Sequence, residues 1–137
     1  MKENVAKALK ETIKLSKLTK EIIKACDEAK GKDLTVLDVS KAFGLVDNFI
    51  IVSGRSDRQV QGISNRILEA VEKLGQKPIS IEGFEEGQWV LIDCADVVVH
   101  VFYEPIREHY DLEALWMDAQ KVELKKPRRA KSEKHAA

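Results

Sequence analysis

The chain predicts an α/β fold: a single domain with a mixed sheet of about five strands flanked by helices, in the order α-β-β-α-β-β-β-α or close to it. Three observations carry this expectation. Two apolar runs, Trp89 to Ile92 and Val97 to Tyr103, are separated by four residues, Asp93-Cys94-Ala95-Asp96. That spacing predicts a hairpin with an acidic bend, followed by a helix from Pro105, where a missing N–H costs nothing. Phe49-Ile50-Ile51-Val52 is apolar on both faces, the pattern of a central strand. At 137 residues the chain suits one core, since domains commonly run to ~100–150 residues.

The elements follow in order. Over residues 4–29, Val5, Leu9, Thr12, Ser16, Thr19, Ile22, Ile23 and Cys26 recur near helical spacing with Lys on the other face, predicting one long amphipathic helix ended by Gly31. Leu34 to Ser40 alternates as a strand, in which Asp38 must reach solvent or a donor. A turn near Gly44 and Asp47 leads to the central strand. Ser56-Asp57-Arg58-Gln59 has the S-x-x-Q form of a capping box, and Val60, Ile63, Ile67, Val71 and Leu74 keep helical spacing until Gly75. After Pro105, Ile106, Tyr110, Leu112, Leu115 and Trp116 form an irregular apolar stripe that reads as core packing. Arg107 is within reach of Glu104, of Asp111 or of a partner, and the sequence does not choose.

Charge divides the chain. Residues 1–30 hold eight Lys against five acids, residues 31–120 eight basic against sixteen acidic, and residues 121–137 seven basic against two acidic, so the parts come to +3, −8 and +5. An acidic body repels phosphate backbones and attracts basic protein surfaces. Residues 1–117 are therefore read as the domain and residues 118–137 as a basic, disordered tail, with RNA contact confined to that tail. No apolar run approaches the ~20 residues of a membrane span, and the amino terminus has no apolar core of a signal peptide. Cys26 and Cys94 are lone thiols, fitting a reducing compartment such as the bacterial cytoplasm.

Chemistry finds little support. Val52-Ser53-Gly54-Arg55-Ser56 opens a helix but lacks the Gly-Lys-Ser/Thr ending of a P-loop, so Gly54 reads as a turn and Ser56 as a cap. His100 sits among valines on a strand, and with His109 and Cys94 it makes no metal-ligand spacing. It reads as a half-buried strand histidine with a hydrogen-bonded ring. Cys94, flanked by Asp93 and Asp96, should be a poor thiolate. Composition leaves Trp89, which follows Glu82-Gly83-Phe84-Glu85-Glu86-Gly87, as either buried core or exposed anchor.

The string Trp89-Val-Leu-Ile-Asp93-x-x-Asp96-Val-Val-Val-His100-Val-Phe102, with Arg107, Tyr110 and Leu112-Glu113-x-Leu115-Trp116, resembles the ribosomal silencing factor (Iojap) family. Leu37-Asp38-Val39, Asp47 to Gly54, Ser56 to Val60 and Glu82-Gly83 extend the likeness to residues 31–117. The resemblance implies an α/β fold related to nucleotidyltransferases and a non-enzymatic function without cofactor or metal. It implies docking on the large ribosomal subunit through the ribosomal protein named L-fourteen at the intersubunit face, steric block of subunit joining, repression of translation, and a homodimer in isolation. It places Trp89 in the docking surface; because ribosomal proteins are basic, Glu82, Asp93, Asp96 and Glu104 are the expected rim. Two alternatives remain: a nucleotidyltransferase-like enzyme using Gly54, Ser56, Asp93 and Asp96, and an RNA-binding ribosome accessory factor acting through the tail. Against the first, the order here is Ser53-Gly54 where active nucleotidyltransferases have Gly-Ser, and Asp93 and Asp96 are three apart across a bend rather than two apart on one strand face.

Overall fold

A computed structural model describes residues 15–115 and 120–122. Ser16–Lys121 form one compact unit; of the other, Met1–Leu15 with Val122–Ala137, Leu15 and Val122 are described. In chain order the elements are α1 (Lys17–Glu28), β1 (Lys32–Asp38), α2 (Ser40–Phe43), β2 (Asn48–Gly54), α3 (Asp57–Lys73), β3 (Ser80–Glu82), β4 (Trp89–Asp93), β5 (Val97–Tyr103), α4 (Glu104–Tyr110), α5 (Leu112–Leu115) and β6 (Gln120–Val122). The sheet order is β3-β4-β5-β2-β1-β6. β2 and β5 are parallel, whereas β1–β2, β3–β4 and β4–β5 are antiparallel, so the predicted mixed sheet is present.

All seven residues of β2 are buried, as its two-sided apolar pattern requires for a strand held between β5 and β1. One face of the sheet is covered by α3, which packs across β4, β5 and β2, and α1 packs beside it. Val60, Ile63, Ile67 and Val71 of α3 and Ile22 of α1 are fully buried, the stripe expected from their helical spacing. The other face carries a second cluster, Leu37, Val39, Phe49, Ile51 and Phe102, closed by Val46, Ile106 and Leu112.

Capping explains where the helices begin. Ser56 Oγ accepts from Gln59 N at 3.1 Å, while Gln59 Oε1 reaches past Ser56 to accept from Arg55 N at 2.6 Å, so the return bond of the predicted capping box lands one residue earlier. Asp38, awkward inside a strand, ends β1 and accepts from Ser40 N at 3.0 Å and Ser40 Oγ at 2.6 Å.

Three expectations need correction. The single helix over 4–29 does not run through Ser16, which is extended (φ −66°, ψ 161°) and caps a new helix by accepting from Thr19 N. Residues 4–14 lie outside the described residues. The helix after Pro105 breaks at Asp111, whose φ of 45° takes the left-handed region, so the apolar stripe splits between α4 and α5 and Tyr110 is left 53 % exposed. Trp116, read as packing, lies outside the described residues. Finally, Gln120–Val122 of the segment expected as a disordered tail form β6 beside β1, where an edge strand offers unpaired backbone groups. The remainder of the tail is outside the described residues.

Candidate docking face

Strand pairing fixes which side chains meet. Trp89 stands opposite Phe102, Leu91 opposite His100 and Asp93 opposite Val98, while β2 aligns Phe49 with Val98 and Ile51 with His100. Side chains at paired positions share a face. Trp89, Leu91, Asp93, Val98, His100 and Phe102 therefore stand on the side of the sheet away from α3. Toward β2 this face is sealed, with Phe49, Ile51 and Phe102 buried. Toward β3 it opens: Trp89, Leu91, Asp93 and Val98 are each half-buried and Glu82, paired with Leu91, is exposed.

Trp89 is both core and surface. Its ring stacks on Phe102 at a centroid distance of 4.9 Å and leans on Tyr110 at 5.0 Å, so one part closes the second core cluster. Its Nε1–H donates to His100 Nδ1 at 3.2 Å. His100 is buried, set edge-on to Phe49 at 5.3 Å, and burial pushes its pKa down to about 4 from an ordinary 6.5. The ring is thus neutral; since Nδ1 accepts, the proton sits on Nε2, which is buried without a hydrogen-bond partner among the described residues. A hydrogen-bonded strand histidine was expected, but its partner was not. The parity of β4 against β5 was the available signal, because it puts residues 89 and 100 on the same face.

The loop before Trp89 is held closely. Gly83 has φ 80°, and an added Cβ there would collide with the Trp89 carbonyl, so the tight return of the chain onto β4 requires glycine. Gln61 Nε2 of α3 donates to the carbonyls of Phe84 and Glu85 at 3.0 and 3.1 Å, bracing the same loop from behind.

The expected acidic rim separates into three groups. Glu82 and Asp93 flank the open face on β3 and β4. Asp93 also stabilises the bend, its Oδ1 accepting from Ala95 N at 2.9 Å. Asp96 is an exposed residue of the bend itself, with its carbonyl accepting from Asp47 N and Asn48 N. Glu104 points elsewhere: its carboxylate pairs with Lys32 of β1 at 3.2 Å, on the far side of β2 from β4. With both side chains partly solvated, that pair contributes under about 1 kcal/mol.

Arg107 reaches across the tertiary structure to β1 and β2. It is buried, and its guanidinium donates to Asp33 O at 2.8 Å, Ser53 Oγ at 2.9 Å and Thr35 Oγ1 at 3.1 Å, tying α4 to β1 and β2. Cys94 has its pKa raised to about 11, by burial first and by the Asp93 charge second, so the expected poor thiolate owes more to desolvation than to its acidic neighbour.

The residues of the enzymatic alternative lie apart. Gly54 ends β2 and Ser56 lies just past it, whereas Asp96 and Asp93 sit by its amino end, where Asn48 pairs with Val97. Seven strand residues at ~3.3 Å each put roughly 20 Å between them, too far to act on one reacting atom. Among the described residues no three His, Cys, Asp or Glu side chains are grouped to hold a metal ion.

The comparisons with known proteins agree with one another. The sequence pattern of the family described as ribosomal silencing factor during starvation matches residues 12–137. A Bacillus subtilis protein named ribosomal silencing factor is 42 % identical over 100 residues, covering 73 % of this chain and 85 % of that one. A Chromobacterium violaceum protein of the same name is 39 % identical over 104 residues, covering 76 % and 85 %. The crystal structure of a Bacillus halodurans protein superposes with a TM-score of 0.71 at 36 % identity, covering 78 % of this chain and 97 % of that one.

Proposed function

The chain belongs to the ribosomal silencing factor family, and from that premise we propose that it is a binding protein rather than an enzyme, which docks on the large ribosomal subunit and blocks entry of the small one. The partner is a basic ribosomal protein at the intersubunit face, L-fourteen in the family's terms. Occupying that face excludes the small subunit sterically and lowers translation. Such a mechanism needs an interface of ~1,200–2,000 Å² and no catalytic geometry.

The observation that carries this reading is the open half of the sheet face, where Trp89, Leu91 and Val98 form an apolar patch bordered by Glu82 and Asp93. An apolar centre within a charged border is the usual anatomy of a protein interface, and its sign suits a basic partner. Asp96 extends the border at the bend; Glu104, paired with Lys32, contributes little to it.

Co-sedimentation with separated subunits tests the proposal. The native chain is expected to pellet with the large subunit and not the small one. Trp89→Ala and Glu82→Lys should weaken binding, the first by tenfold or more, because an anchoring tryptophan commonly contributes ~2 kcal/mol or more. Association of the two subunits undiminished by excess protein would refute it.

A further inference from the structure

We propose that His100 is the positioning residue of the docking face: it fixes the Trp89 indole and consumes its N–H, so that Trp89 offers a partner its apolar ring and no hydrogen-bond donor. This rests on the docking reading above. Two observations support it. The indole has one polar hydrogen, and it already points at His100 Nδ1, 3.2 Å away. His100 is itself immobilised, being buried, edge-on to Phe49 and parallel-stacked on Phe102 at 6.2 Å and 11°.

The consequence is a specific chemistry at the centre of the interface. The partner places an aliphatic or aromatic group against the half-buried indole and Leu91, and its polar and basic groups fall on the rim. A tryptophan free to rotate would lose entropy on docking; one already held loses little.

Two substitutions separate positioning from packing. In His100→Asn the side-chain oxygen stands as many bonds from the backbone as Nδ1 and still accepts from the indole; in His100→Phe the ring shape remains and the acceptor is gone. Both are studied in the full chain carrying Trp116→Phe, which leaves Trp89 as the one indole. The first readout is the indole ¹H–¹⁵N resonance of the free protein: His100→Asn keeps it downfield and slow to exchange with solvent, and His100→Phe moves it upfield and speeds exchange. The second is affinity for isolated large subunits, expected to fall about tenfold in His100→Phe and less than about threefold in His100→Asn, the size of one lost hydrogen bond. An unchanged resonance and full binding in His100→Phe, or equal loss in both variants, overturns the proposal. If the unsubstituted chain fails to bind large subunits, the docking reading falls instead, and the resonance still judges whether His100 holds Trp89.

Discussion

Acid should unfold this protein through His100. An unfolded imidazole titrates near 6.5, whereas the buried ring titrates at about 4, so between those values the unfolded chain carries a proton that the native one refuses. The folded pKa is depressed; the stabilisation is therefore complete above about pH 6.5 and is lost as pH falls toward 4. At 1.36 kcal/mol per pH unit, the loss between pH 7.5 and pH 4 comes to about 3 kcal/mol, a large part of the ~5–15 kcal/mol that holds a domain of this size. Protonation is opposed locally as well, because an Nδ1–H would face the Trp89 N–H across 3.2 Å. The assay is urea unfolding at the two pH values for the native chain and for His100→Asn, which keeps an acceptor and does not titrate. Carboxylates titrate in both proteins and cancel in the comparison. The native chain should lose about 3 kcal/mol more than the variant, a displacement of roughly 1–3 M in the urea midpoint. Equal losses, within ~0.5 kcal/mol, would refute the reasoning by showing that the imidazole is not buried as a neutral base.

Other outcomes follow from the same packing. Arg107→Met should cost roughly 3 kcal/mol in urea unfolding, because three hydrogen bonds from a buried cation are lost; Arg107→Lys should cost about 2, since an ammonium cannot span Asp33 O, Ser53 and Thr35 together. Gly83→Ala and Gly62→Ala should change the urea midpoint in opposite directions. The first places a methyl against the Trp89 carbonyl at φ 80° and loses over ~2 kcal/mol, whereas the second adds one in open space within α3 and gains ~0.5–1. Cys94 should alkylate with iodoacetamide at pH 8 about 100-fold more slowly than an unperturbed thiol, measured by mass spectrometry, and recover ordinary reactivity in denaturant.

Position-by-position patterns made much of the fold legible. Two-sided apolar character marked β2 as an interior strand, two apolar runs across an acidic bend marked β4 and β5, and Ser56 with Gln59 marked the start of α3. These signals are local: periodicity and capping depend on neighbours a few residues apart. Two boundaries failed for equally local reasons. Ser16 was counted within an apolar stripe although its hydroxyl favours a cap, and Asp111 tolerates the left-handed conformation that ends α4.

What the sequence by itself determined is the central strands and the helix that covers them, the acidic sign of the body and the family; its charge sum and motif order need no coordinates. Tertiary structure decided how those residues are used. Residues 82 and 91, 89 and 100, and 107 and 33 meet only because strands pair across the sheet in one register and α4 folds back over β1 and β2. That register made Trp89 half core and half surface, turned Glu104 to Lys32, and parted Ser56 from Asp93 by the length of β2. No pattern along the chain encodes such meetings, because a side chain's partner is fixed by which strands lie adjacent, and that adjacency depends on the packing of the whole sheet.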